Sequence, residues 1–144
     1  MTPPMNILDR TPDRLNKVVV AFLNGSRMKG CVYDFSPHSG SFNLFPQEDL
    51  LQGEGMKVEM KDLKAVFFVK DFAGDPDYHE LLRADAHMHG RKIEVTFIDG
   101  EKVVGTTEGY NPQRLGFFVV PGDPKSNNNR IFVVTKNTRQ IRLV

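Results

Sequence analysis

The feature that most constrains this chain is that it is written twice. Residues 17–69 lie on residues 92–144 at a constant offset of 75, without a gap, over 53 positions. Eleven of those 53 positions are identical, among them Gly25/Gly100, Gly30/Gly105, Pro37/Pro112, Pro46/Pro121, Phe22/Phe97 and Phe42/Phe117. Identities that fall on glycines, prolines and core-type residues mark an internal duplication, and a duplication is read before anything else. The chain has 144 residues, 40% of them hydrophobic, which suits two small units better than one large one. A unit that short buries only about 60% of its unfolded surface. The expectation is therefore that each copy closes a core of its own and that the halves pack on each other or dimerise.

Each copy reads as five short strands. Residues 17–23 are rich in β-branched and aromatic side chains and run into Asn24-Gly25, and residues 92–98 run into Asp99-Gly100. Both pairs tolerate the positive φ angles of a two-residue type I′ hairpin turn. The returning strands, about 26–35 and 101–110, each carry an internal glycine (Gly30, Gly105), the mark of a bulge or sharp bend. A third strand ends at Pro46 or Pro121, and two more follow at 56–61 and 64–69, or 131–136 and 139–144. Between the copies, Asp75-Pro76 before residues 77–83 reads as a capped start for a helix of two to three turns. The expected fold is mainly β: an N-terminal arm (1–16), a five-stranded SH3-like or Sm-like barrel (17–69), a linker with a short helix (70–91) and a second barrel (92–144).

Charge is spread unevenly. Residues 92–144 hold eight basic groups against five acidic ones, whereas 17–69 hold six of each, a modest hint of an anionic partner for the second copy. Cys31 is the lone cysteine, so no internal disulfide forms and a reducing compartment fits. Residues 1–17 are broken by Pro3, Pro4 and Pro12 and lack the apolar run of a signal peptide or membrane span, so a soluble, cytoplasmic protein is expected, without membrane association.

With the repeat in view, VVVAFLNG at 18–25, LKAVFFVKDF at 63–72 and the run PGDPKSNNNR at 121–130 resemble a bacterial family of unknown function. Its members occur as small stand-alone proteins or as modules beside signalling domains. A second likeness is more distant. Arg10-Thr11-Pro12-Asp13-Arg14, followed by Asp34-Phe35-Ser36-Pro37-His38-Ser39-Gly40, resembles in order and position the two signatures by which PilZ domains hold cyclic di-GMP. The resemblance implies that Arg10 and Arg14 grip phosphates and guanine while Asp34, Ser36 and Gly40 approach base and ribose. The glycine falls at position 40, one place later than in that signature. A third likeness is to Sm-like barrels, which bind RNA through an Asp and an Asn; here Asp34 and Asn43 stand nine positions apart, wider than that family's compact loop. Phe35, Phe45 or Tyr110 would supply stacking surfaces for such a ligand.

Catalysis and metal binding find little footing. His38, His79, His87 and His89 have no histidine counterpart in the other copy, and no nucleophile elbow or phosphate loop is present. His87-Met88-His89 beside Asp85 reads as solvated linker, since a structural zinc site needs four ligands. No catalytic residue, cofactor or metal is assigned. The Asn-rich run offers a candidate recognition loop (Lys125, Asn127, Asn128, Asn129, Arg130) or, equally, a structural plug for the second barrel. The sequence is read as a non-catalytic binding or adaptor module in bacterial signalling. A protein partner ranks first, captured by strand addition; a cyclic dinucleotide is the runner-up and nucleic acid third.

Overall fold

The computed structural model describes residues 16–47, 54–84 and 89–144. Ten strands are present among the described residues: β1 (Asn16–Phe22), β2 (Arg27–Val32), β3 (Ser41–Pro46), β4 (Met56–Glu59), β5 (Leu63–Val69), β6 (Arg91–Phe97), β7 (Lys102–Thr107), β8 (Gly116–Pro121), β9 (Asn128–Val134) and β10 (Thr138–Leu143). Single 3-10 turns at Met60–Asp62 and Thr135–Asn137 connect the last two strands of each copy.

Duplication is preserved register by register. Val18 faces Gly30 as Ile93 faces Gly105, Cys31 faces Phe45 as Thr106 faces Val120, and Phe42 faces Val58 as Phe117 faces Val133. Even the irregularity in the last strand recurs, after Ala21 in one copy and beside Gln140 in the other. The hairpin turns differ from the expected type I′. Only the glycines take positive φ, 92° at both Gly25 and Gly100, while Asn24 and Asp99 do not. Gly25 N–H donates to Phe22 O (3.0 Å) and Phe22 N–H to Ser26 O (2.9 Å), which closes a type I turn with a glycine bulge.

Gly30 and Gly105 are required for a different reason from bulging. A Cβ on Gly105 would lie 1.9 Å from Val120 O, and one on Gly30 would lie 2.4 Å from Phe45 O. At these points the second strand of each copy meets the end of the third for only two pairs before that strand swings away to its next neighbour. Backbone passes backbone there, and no side chain fits between.

The expectation that each copy closes a core of its own is overturned. All ten strands form one antiparallel sheet in the order β10-β6-β7-β8-β9-β5-β1-β2-β3-β4, so β9 of the second copy pairs directly with β5 of the first. Successive side chains of a strand point to opposite faces, and β5 uses both. Val66 and Phe68 enter one hydrophobic cluster, and Ala65, Phe67 and Val69 enter the other. Strand β9 does the same with Phe132 and Val134 on one side and Ile131 and Val133 on the other. The first copy's core is thus completed by Phe132 and Val134, and the second copy's by Ala65 and Phe67. Halves too small to bury enough surface alone share it across this seam.

Polar contacts reinforce the seam. Lys64 on β5 is 6% exposed and reaches Asp99 Oδ2 at 2.7 Å and Glu101 Oε2 at 3.3 Å in the second copy's first hairpin. Its hydrogen bond is the main cause holding the Asp99 carboxyl below the usual carboxylate range. In return, Asn137 Nδ2 donates to Lys61 O (3.1 Å) and Leu63 O (2.8 Å) of the first copy.

Linker residues 77–83 do not form the expected helix. The cap appears, with Asp77 N–H donating to Asp75 Oδ1 at 3.0 Å and Tyr78 N–H to Asp75 O at 3.1 Å, and then the turn stops. Asp123 takes the Tyr78 hydroxyl and the Leu81 N–H (2.8 Å), and Ser126 donates to Glu80. For the Leu81 N–H, the Asp123 carboxylate takes the place of the carbonyl that a helix would have supplied.

Candidate functional site

The sheet has two ends, and they are equivalent to the two strands that meet inside it. At the offset of 75, β4 is the counterpart of β9 and β10 the counterpart of β5. In the interior those counterparts pair, with Ala65 opposite Val133, Val66 opposite Phe132 and Phe67 opposite Ile131. At the ends of the sheet, β4 and β10 have a partner strand on one side only among the described residues. The molecule therefore contains one filled strand-addition site and the two halves of a second, unfilled one.

Chemistry distinguishes the open edges from the filled junction. Ala65 and Phe67 are buried in the seam, and their counterparts on β10 are exposed Gln140 and Arg142. Phe132 and Val134 are 0% exposed, and their counterparts on β4 are Lys57 and Glu59, which pair with each other at 3.5 Å. Strand β10 is the more basic edge: Arg139 and Arg142 are exposed, as are Arg91 and Lys92 on neighbouring β6. Ile141 alone turns inward against the second cluster.

Of the residues singled out for cyclic di-GMP, the described ones each make a hydrogen bond within the first copy. Arg10 and Arg14 lie outside the described residues. Asp34 Oδ2 accepts from Asn43 Nδ2 at 3.2 Å, Ser36 Oγ accepts from His38 N–H at 3.3 Å, and Gly40 O accepts from Met60 N–H at 2.9 Å. The Asp34–Asn43 contact also corrects the spacing argument made for the Sm-like pair, because the β2–β3 excursion folds back and brings the two side chains together. Of the aromatics expected to stack on bases, Phe45 is buried, and Phe35 and Tyr110 are half-buried and packed against the two cores. Phe35 meets Phe42, Phe68, Phe118 and Phe132 edge to face at 5.1 to 6.0 Å, Tyr110 packs on Phe117 at 4.9 Å, and Phe45 is 2% exposed.

The Asn-rich run is tied down by the linker. Asn127 Nδ2 donates to Asp71 O at 2.8 Å while its Oδ1 accepts from Asp71 N–H at 3.2 Å, and Asn127 O accepts from Lys70 N–H at 2.8 Å. Asn128 and Asn129 begin β9, and Asn128 N–H donates to Ser126 Oγ at 3.0 Å. Arg130 lies between two rings, 4.4 Å from Phe68 and 4.3 Å from Phe118, where desolvation lowers its pKa. Lys125 and Asn129 face solvent.

Asp123 was not singled out in the sequence, yet it is the hub of this loop. It is 3% exposed and accepts from Leu81 N–H, the Tyr78 hydroxyl and Lys125 N–H. The Leu81 N–H is the largest cause holding its carboxyl below the usual range, and the hydrogen bond that the Tyr78 hydroxyl donates to Asp123 is the largest cause pushing that hydroxyl up to about 12. A depressed carboxylate stabilises the fold fully above its unfolded value, about 4, and that contribution is lost as pH falls through the lower folded value. Asp123→Asn should lower the unfolding midpoint by several degrees at pH 7, and the gap from wild type should shrink steadily below about pH 4. A gap independent of pH would contradict the assignment.

Among the described residues, no group of three or more His, Cys, Asp or Glu side chains is placed to hold a metal ion, and no helix is long and apolar enough to cross a membrane. Asp85 and His87 lie outside the described residues. Cys31 is buried, which pushes its thiol up to about 11. A family model described as a family of unknown function, DUF6982, matches residues 14–144. No curated protein and no solved structure matches the chain.

Proposed function

Since the chain belongs to that family of unknown function across residues 14–144, we propose from its geometry that it is a non-catalytic adaptor that binds a protein partner by accepting an extended segment along β10. In this reading each five-stranded half is an SH3-like or Sm-like barrel opened at one side, and the protein works in the bacterial cytoplasm. The buried, free Cys31 fits a reducing compartment, and the resemblance to modules that sit beside signalling domains supports an adaptor role.

The observation that carries the proposal is the β5–β9 seam, an instance within the molecule of one copy receiving a strand from the other. Strand β10 is the open counterpart of β5. An incoming strand would gain main-chain hydrogen bonds along Thr138–Leu143, and the exposed Arg139 and Arg142 favour carboxylates on that strand.

A peptide of alternating valine and glutamate tests this on the full chain. We expect it to shift the amide resonances of 138–143 saturably. Arg142→Glu should abolish the shifts while leaving the unfolding midpoint within about 2 °C, since exposed edge charges contribute little to stability. Shifts that survive Arg142→Glu, or an unperturbed β10, would refute the reading.

A further inference from the structure

The two copies differ most usefully behind the second strand. In the first copy, Tyr33 packs edge to face on Phe45 at 5.5 Å, beside buried Cys31 and Val32. At the same positions the second copy has Glu108, Val120, Thr106 and Thr107. Two rings have become a carboxylate and a valine, and two apolar wall residues have become hydroxyls. A cavity of about 520 Å³ opens there, lined by these four residues together with Phe117 and Phe118. That size suits a small-molecule ligand.

Its polar groups are arranged for an anion. Arg114 stands at the rim, where the first copy has Ser39, and His89 and the first copy's His38 join it. All three are exposed, and no ion pair engages them among the described residues. Glu108 is the single acidic group in the lining. Among the lining residues, Thr107 is 4% exposed, and its Oγ1 has no hydrogen-bond partner among the described residues. Phe117 and Phe118 provide an apolar floor.

From this divergence we infer that the second copy carries a binding site for a small organic anion with a flat or apolar body. The body rests on Phe117 and Phe118, and the anionic group lies among Arg114, His38 and His89. The site is separate from the β10 edge and does not depend on it.

Phenyl phosphate is a suitable probe, titrated into the full chain and followed by amide resonances. The expected result is a saturable shift confined to the residues lining the cavity, Arg114, His38 and His89 among them. Arg114→Gln should weaken binding about tenfold, the loss of one charged hydrogen bond. Glu108→Tyr with Val120→Phe restores the first copy's ring pair, a filling that this scaffold already tolerates, and should abolish binding with the fold intact. No saturable shift with phenyl phosphate, equal binding of neutral benzyl alcohol, or unchanged binding in the filled variant would each overturn the inference.

Discussion

A chain carrying Lys57→Phe, Glu59→Val, Gln140→Ala and Arg142→Phe should assemble head to tail, running on sedimentation as multiples of the 16.3 kDa chain where the wild type does not. These four changes copy onto the open edges the residues found at the β5–β9 seam, namely Phe132, Val134, Ala65 and Phe67. All four seam residues are buried, at 0%, 0%, 0% and 5% exposure. Each phenylalanine brought to such a seam is worth about 1.5–3 kcal/mol of apolar burial, and a β10–β4 contact would gain two. Because the two edges differ, the contact is heterologous and propagates into rings or filaments instead of stopping at a dimer. In the native chain the same positions hold charges and an amide, the usual means by which an exposed edge avoids its own kind. An edge variant that stays at the mass of one chain at high micromolar concentration would show that the seam's side chains do not drive strand addition.

Phe132→Ala is expected to destabilise both copies together, by about 3–5 kcal/mol. Phe132 belongs to the second copy by sequence but sits at 0% exposure in the first copy's cluster with Val18, Val20, Val66 and Phe68. It also meets Phe35 at 5.1 Å and Phe118 at 5.2 Å, so truncation leaves a cavity lined by rings that cannot close over it. Against a total stability of about 5–15 kcal/mol, such a loss brings the chain near unfolding at physiological temperature. The check is urea unfolding of wild type and variant, followed by near- and far-ultraviolet circular dichroism. One transition, displaced to lower urea in the variant, is expected. A variant in which half the secondary structure unfolds early while the rest keeps the wild-type midpoint would mean that the copies are energetically separate.

Much of the architecture could be read from the duplication, because an offset of 75 without gaps preserves every turn length and therefore every strand register. The seam was harder to read. Each copy taken as a complete unit implies a private core, yet the contrary signal lies in the differences between the copies. The first copy's last strand, LKAVFFV, is apolar on both faces, as strands covered on both sides are, while its counterpart TRQIRLV alternates. Likewise Phe132 and Val134 stand where the first copy has Lys57 and Glu59.

The linker helix failed for another reason. Residues 75–83 carry honest capping chemistry, but Asp123, more than 40 positions away, competes for Tyr78 and Leu81, and no local pattern reveals that. Of the candidate sites, the Asn-rich loop is marked by its composition, whereas its contact with the linker at Asp71 leaves no local signal. The cavity beside Thr107 was legible in principle from the replacement of Tyr33 and Phe45 by Glu108 and Val120.

Native-state hydrogen exchange at increasing sub-denaturing urea tests most directly whether the two copies are one folded body. If β5 and β9 bind both cores into a single cooperative unit, the slowest amides of β1, at Val18 and Val20, and of β6, at Ile93 and Val95, will converge on one opening free energy with one urea dependence. Should the β6 amides open with a smaller free energy and a shallower urea slope while β1 stays protected, the shared-core account is contradicted.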